Sequence, residues 1–353
     1  MAVRLRDVAE RAGVSVRTVS NVVNDFPHVS PAVRERVQRA IAELGYAPNM
    51  TARFLRGGRT GMIALAVPDL SVPYFAELAG HTMRAAQRHS LTLLIEETGG
   101  DREREILFAT GPRSSTIDGL ILSPLSADAD DLGDRSRTVP VVLLGERTVE
   151  APVDHIAIDN VRAAHVATTH LLRIGRRRVA AIGARPDHDS RMADLRVEGY
   201  RRALADAGAP VADDLVVATP WFTRRDGYDA VVRLLRAGVR PDGLFCLNDL
   251  LALGAVRALE DHGLRVPEDV AVVGIDGIED GEFSLPSLTT IAPDKAGIAS
   301  RAVDLLVSRM TGQDGRPAVD DVADFELVVR ESTTARGTRP PAVGTDASGP
   351  ARS

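Results

Sequence analysis

Two side chains near the start of the sequence, Arg17 and Asn21, stand about one helical turn apart in "VSVRTVSNVVN" and carry groups that match the edges of DNA bases. A guanidinium can fork onto O6 and N7 of guanine, and a carboxamide can pair with adenine or reach a phosphate. A second set of reactive groups lies downstream, where polar residues directly follow apolar runs: Asp69 after "IALAVP", Ser123 after "DGLIL", Asn248 and Asp249 after "LFCL", and Asp276 after "VVGI". Polar groups beyond the carboxyl ends of parallel strands are where such sheets bind small molecules. A helix N-cap puts Asp or Asn at the same junctions, and for Asp249 that explanation serves at least as well.

The elements that must hold Arg17 and Asn21 are short helices. Leu5, Val8, Ala9 and Ala12 form one apolar stripe that Gly13 stops. Ser15 is placed to cap a second helix whose Val19, Val22 and Val23 turn inward, leaving Val16, Arg17, Ser20, Asn21 and Asn24 outside. A third helix opens at Ser30-Pro31, runs through Val33, Val37, Ile41 and Leu44, and ends at Gly45. Helix, tight glycine-containing turn and helix make the helix-turn-helix arrangement, whose second helix enters the major groove. The same spacing also suits a small helical dimerisation module.

Charge separates the first sixty residues from the rest. They carry ten arginines against five acids, a net +5 in a chain whose formal total is -6. A basic head on an acidic body points to a polyanion as partner of the head alone. No run of 18 apolar residues occurs, and charged Arg4, Arg6, Asp7 and Glu10 stand where a signal peptide would need an apolar stretch, so a cytoplasmic protein with no membrane partner is expected. The single cysteine, Cys246, excludes an internal disulfide or a thiolate metal cluster and is expected in a buried strand.

From residue 61 onward apolar runs ("MIALAVP", "LTLLIEE", "DGLILSP", "VPVVLLGE", then "RVAAIGA", "LVVAT", "GLFCLND", "VAVVGID") alternate with amphipathic stretches. This predicts an α/β body of two doubly wound parallel sheets with a cleft between them. No G-x-G-x-x-G follows a strand, the sole lysine lies in "PDKAG", and the eight histidines are scattered, which argues against a nucleotide-using enzyme, a cofactor or a bound metal. His165 and His170, five residues apart, have the wrong spacing for a shared metal on one helix face.

"LRDVAERAGVSVRTVSNVVN", "VSPAVRERVQRAIAELGYAPNMTARFLRGG", "NDLLALGAVRALEDHGLRVPEDVAVVGIDG" and "PSLTTI" together resemble the lactose-repressor (LacI/GalR) family of bacterial transcription regulators, to about residue 335. The resemblance implies a three-helix head at 1–46, a hinge helix and linker at 47–59, and a two-lobed periplasmic-binding-protein-like body at 60–335. It places lobe 1 at about 60–158 and 291–322 and lobe 2 at about 162–288 and 323–335. Val16, Arg17 and Asn21 would read bases, Thr18, Ser20 and Asn24 would brace the helix or touch the DNA backbone, and the hinge would wedge Leu55 into the minor groove beside Arg53 or Arg56. In the body, Arg196 would hold effector hydroxyl or carboxylate groups and Asp276 would accept from a hydroxyl. Tyr74 with Phe75, Trp221 with Phe222, Asn248, and by its strand-end position Ser123, would line the pocket.

The implied partners are double-stranded operator DNA, a second copy of the chain, and a small effector, a sugar before a purine-type corepressor. A solute-binding protein without DNA function shares only the body. One departure stands out, because Arg4 replaces the threonine that usually opens the first helix and cannot cap it in the same way. Residues 336–353, rich in Pro, Gly, Ala and Ser, are expected to be disordered, and no leucine heptads extend the dimer.

Overall fold

The computed structural model describes residues 3–23, 26, 28–46, 59–111, 116–127, 139–146, 153–185, 190–312 and 316–334. Two compact units result, divided at Gly61 and Met62. Predicted positions Asn24, Arg53 and Leu55, the whole hinge stretch 47–58 and the tail 336–353 lie outside the described residues.

In the head, α1 (Leu5–Ala12), α2 (Val16–Val23) and α3 (Pro31–Leu44) close around Val8, Ala9, Ala12, Val19, Val22, Val37 and Ala40. Arg4 makes no side-chain cap to α1, but Asp7 accepts the Arg4 backbone N–H at 2.7 Å, so one half of a capping box survives. Gly13, at φ 63°, ends α1 in the left-handed conformation that glycine adopts without strain. Ser15 accepts the Thr18 backbone N–H at 3.1 Å, and the two hydroxyls share a 2.8 Å bond. Ser30 stands at the N-cap of α3 without a side-chain bond, and Pro31 starts the helix.

The body holds two six-stranded sheets. Lobe 1 takes β1 (Met62–Val67), α4 (Pro73–Arg88), β2 (Thr92–Glu97), α5 (Arg102–Thr110), β3 (Gly119–Leu122), β4 (Val141–Leu144) and β5 (Asp154–Ile158). Lobe 2 takes α6 (Asn160–Arg173), β6 (Val179–Ala184), α7 (Arg191–Asp206), β7 (Val216–Ala218), α8 (Arg224–Arg236), β8 (Gly243–Cys246), α9 (Asp249–Asp261), β9 (Ala271–Ile275), the short α10 (Glu279–Glu282) and β10 (Thr289–Pro293). The chain then returns for α11 (Lys295–Met310) and β11 (Asp320–Ala323) in lobe 1, and ends on β12 (Phe325–Val328) in lobe 2. The orders are β11-β5-β4-β3-β1-β2 and β12-β10-β9-β8-β6-β7.

Two details differ from the sequence expectation. Ile291, Ala292 and Pro293 belong to the second sheet, so the second crossing falls at Asp294 and the third at Asp324, where the Asp294 N–H donates to the Asp324 carbonyl at 3.0 Å. The second sheet is also not wholly parallel, because β12 runs antiparallel to β10 along its edge. A strand that has just crossed from the other lobe can join only from the side at which it arrives.

Lobe 2 helices approach closely through glycines. A β-carbon on Gly227 of α8 would lie 2.1 Å from the Leu251 carbonyl oxygen of α9, and one on Gly254 of α9 would lie 1.8 Å from the Arg224 carbonyl oxygen of α8. The two helices therefore meet backbone to backbone, each through the other's missing side chain. Cys246 is buried in β8, and burial pushes its thiol up, out of the reactive range. Gly254→Ala is expected to part α8 from α9 and destabilise the body by about 1–3 kcal/mol, read from the urea midpoint.

Candidate functional site

The outward face of α2 comes first. Its buried residues are Val19 and Val22, while Val16 is 45% exposed, Arg17 is exposed, and Thr18, Ser20 and Asn21 are half-buried. Val16, Arg17, Ser20 and Asn21 follow i, i+1, i+4 and i+5 on the side opposite the core, so a rigid three-helix base presents one polar stripe. Thr18 is committed to the Ser15 cap. Arg11 and Glu43 join α1 to α3 by an exposed ion pair, and Arg34 donates to the Phe26 carbonyl at 2.9 Å.

In the body the carboxyl edges of the two sheets face a shared set of polar residues. Arg196, buried in α7, donates from Nε to Asn160 Oδ1 at 2.6 Å and from Nη1 to the Leu247 carbonyl, and its Nη1 lies 4.0 Å from Asp276 Oδ1. Asn160 in turn donates to Glu146, which follows β4 in lobe 1. Asp276 is buried at φ 132°, a strained conformation for a residue with a side chain, and among the described residues no group hydrogen-bonds its carboxylate. Burial raises the Asp276 carboxyl, with the Asp249 charge adding to the rise and Arg196 opposing it. Burial likewise raises Glu146 and lowers Arg196. Burial, then the Asp276 charge, pushes the Tyr74 phenol up.

Lys295, the sole lysine, closes the base of this cluster. From the start of α11 its Nζ donates to the carbonyls of Asp276 and Gly277, both at 2.7 Å, and pairs with Glu77 of α4 at 2.8 Å. Glu77 also accepts the Glu279 backbone N–H at 3.0 Å, so lobes 1 and 2 share both charges. Asp249 is fully buried and is not the cap of α9. Asn248 is, accepting the Leu251 N–H at 2.9 Å, while Asp249 accepts from Thr290 Oγ1 at 2.7 Å and the Ile278 N–H at 3.0 Å.

The expected body residues thus divide. Tyr74, Arg196 and Asp276 are mutually coupled. Asn248 spends its amide on the cap and on the Phe222 carbonyl, at 3.1 Å. Trp221 is 60% exposed and is not part of the core. Ser123 is buried, and its Oγ lies 3.9 Å from where a β-carbon on Gly145, the residue before Glu146, would stand. Phe75 borders the lobe 1 core and meets Tyr74 edge-on at 5.3 Å. Asp69 closes a local turn with the Ser71 N–H at 2.7 Å.

Glu146, Asn160, Lys295 and Glu77 were not among the sequence candidates. The strand-end rule would have found the first two, which follow β4 and β5. Glu105 of α5 was also missed; it accepts the N–H groups of Leu125, Ser126 and Ala127 and fixes the loop beyond Ser123. Among the described residues no group of acidic, histidine and cysteine side chains is placed to hold a metal, and no helix is long and apolar enough to cross a membrane. His165 and His170 instead meet Asp206 and Thr333, each at 2.9 Å.

A carboxyl whose pKa is raised by folding stabilises the folded state below its ordinary range, and that contribution is lost as pH rises through the raised value. The body is therefore expected to lose part of its stability between about pH 4 and neutrality. Asp276→Asn is expected to flatten that slope in urea denaturation measured across the pH series.

The family model described as bacterial regulatory proteins, lacI family, matches residues 4–49, and a periplasmic binding protein-like domain matches residues 168–333. The HTH-type transcriptional regulator DegA of Bacillus subtilis (strain 168) is 32% identical over 343 residues, covering 96% of this chain and 100% of DegA. Among solved structures, a transcriptional regulator CelR–cellobiose complex is 34% identical with a TM-score of 0.69, covering 94% of this chain and 99% of CelR. The lac repressor dimer bound to operator and the anti-inducer ONPF is 28% identical with a TM-score of 0.80, over the same shares of the two chains. With a helix-turn-helix head and a two-lobed body matched along nearly its whole length, the chain belongs to the LacI family of bacterial regulatory proteins and is a DNA-binding transcriptional regulator.

Proposed function

We propose that this protein is a cytoplasmic repressor, without enzymatic activity, that binds operator DNA as a homodimer and is controlled by a small sugar-like effector held between lobes 1 and 2. The observation that carries the effector reading is the buried Asp276, its backbone strained and its carboxylate without a hydrogen bond among the described residues, set 4.0 Å from a buried guanidinium. Vicinal hydroxyls satisfy both: one donates to the carboxylate and its neighbour accepts from the arginine. The cellobiose complex of a 34% identical regulator supports the same class of ligand. Tyr74, Phe75, Ser123, Asn248 and Trp221 complete the proposed lining.

On the DNA side Val16, Arg17 and Asn21 are assigned to bases and Thr18, Ser20 and Asn24 to bracing and phosphates. Arg53 and Leu55 are assigned to the minor groove, where an apolar wedge can kink the duplex. The sequence offers only about seven residues from Met50 for a hinge helix, well short of the roughly 12–15 that are even marginal alone in water, and in the proposed function it forms on DNA. Effector binding acts on that balance through the arrangement of the first lobes. Exposed Phe283 and Leu285, 76% and 71% accessible, offer lobe 2 an apolar patch for the second copy.

A thermal-shift screen of sugars and nucleobases tests the effector class, since a ligand that prefers the folded state raises the melting temperature. A sugar that does so is expected to lose its effect in Arg196→Gln; a purine hit alone would replace the sugar by a corepressor. For the head, Arg17→Ala is expected to cost about 1–3 kcal/mol on a fragment selected from random DNA and to relax one base position. Fluorescence anisotropy against selected and scrambled duplexes measures this, and equal affinities of wild type and variant on both would remove the groove-reading role.

A further inference from the structure

Arg185, half-buried at the cleft edge, makes no hydrogen bond or ion pair among the described residues. It stands just past the end of β6, and the β6–β8 register, Ile182 opposite Cys246, brings it to the same sheet edge as Asn248. Its guanidinium lies 5.0 Å from the centre of the Trp221 ring and 5.5 Å from that of Phe222. Its Nε is buried and has no hydrogen-bond partner, whereas Arg196 and Lys295 each have protein partners. Burial lowers its pKa, and the acid that opposes this is Asp226. That carboxylate is already committed, accepting the Thr223 N–H at 3.0 Å and the Thr223 hydroxyl at 2.5 Å in the capping box of α8.

A buried N–H left without a partner costs free energy that an acceptor on a ligand restores. Two aromatic faces hold the guanidinium by cation–π contact, which orients it without occupying its in-plane donors. Those donors form a fork that matches an oxyanion bidentately. The place is continuous with the effector cluster: Phe222, under Arg185, receives Asn248, and Leu247 beside it receives Arg196.

We propose that Arg185, seated on Trp221 and Phe222, is the anion-binding end of the effector site, so that the effector is a hydroxylated molecule bearing a phosphate or a carboxylate. The inference rests on the effector reading above and narrows it. Asp276 and Arg196 take the hydroxyls, and the anionic group stays at the other end of the cleft, away from the Asp276 carboxylate.

Trp221 is the only tryptophan in the chain, so its emission reports on this site alone. The full-length protein is titrated with glucose and ribose, with glucose 6-phosphate and ribose 5-phosphate, and with gluconate and glucuronate. A saturable change in emission is expected with a phosphate or a carboxylate probe, at least tenfold tighter than with the neutral parent sugar, and Arg185→Met is expected to weaken it tenfold or more. The two anionic arms distinguish phosphate from carboxylate. Equal affinity for a neutral sugar and its anionic form, an unchanged anion affinity in Arg185→Met, or no response to any anionic probe would overturn the proposal. A neutral-sugar response that Arg196→Gln abolishes and Arg185→Met spares would leave the effector reading standing while removing the anion. Arg185→Met and wild type are compared by circular dichroism melting, so that a folding defect is recognised as such.

Discussion

Two nearly dry cations fix the geometry of the body. Lys295 is held from lobe 2 by the Asp276 and Gly277 carbonyls and from lobe 1 by Glu77, while Arg196 is held by Asn160 and Leu247 and faces Asp276. A buried charge loses several kcal/mol of hydration and must find its partners in the protein. Because the partners of Lys295 sit on both lobes, that cation ties the lobes together at the bottom of the cleft. The crossings at Asp159, Asp294 and Asp324 supply the covalent part of the same constraint. Glu77 joins the two: one carboxylate oxygen meets Lys295 and the other the first turn of α10.

On the proposed function, the same design lets the cluster respond to a ligand. Asp276 is kept at a positive φ, its carboxylate without a hydrogen bond among the described residues, while its backbone carbonyl is gripped by Lys295. Backbone strain persists only where the surroundings over-determine it, and here Lys295 and the Ile291 carbonyl, which accepts the Asp276 N–H at 2.9 Å, do so. Any hydroxyl that satisfies the carboxylate acts on a residue already coupled to both lobes. Asp249, at the start of α9, holds the following turn by accepting the Ile278 N–H and the Thr290 hydroxyl.

Much of the architecture was legible because it is written in periodicities. The stripe of Leu5, Val8, Ala9 and Ala12 and the Ser15 cap describe α1 and α2 without tertiary information, and alternation of apolar runs with amphipathic stretches describes the sheets. What was not legible depends on contacts distant in sequence. Asp249 reads locally as a cap, yet Asn248 takes that role and Asp249 serves Thr290, 41 residues away. Glu105 sits in a charged run, "DRERE", with no local sign that it is buried beneath three loop amides. Lys295 and Glu77 are paired only because α11 returns to lobe 1. The capture of Ile291–Pro293 by the second sheet is likewise decided by where the crossing lies, which no window of sequence contains.

The distribution of amines has a consequence for how the head can be modulated. With Lys295 as the only lysine, every basic side chain of the described head other than histidine is an arginine. Guanidinium groups keep their proton throughout the physiological range, and they offer no ε-amine to an acetyl donor. Two common ways of discharging a DNA-facing surface, deprotonation and acylation, are therefore closed at α1, α2 and α3. Their positive potential is a constant, and selectivity in time has to be imposed from the domain that carries the cleft.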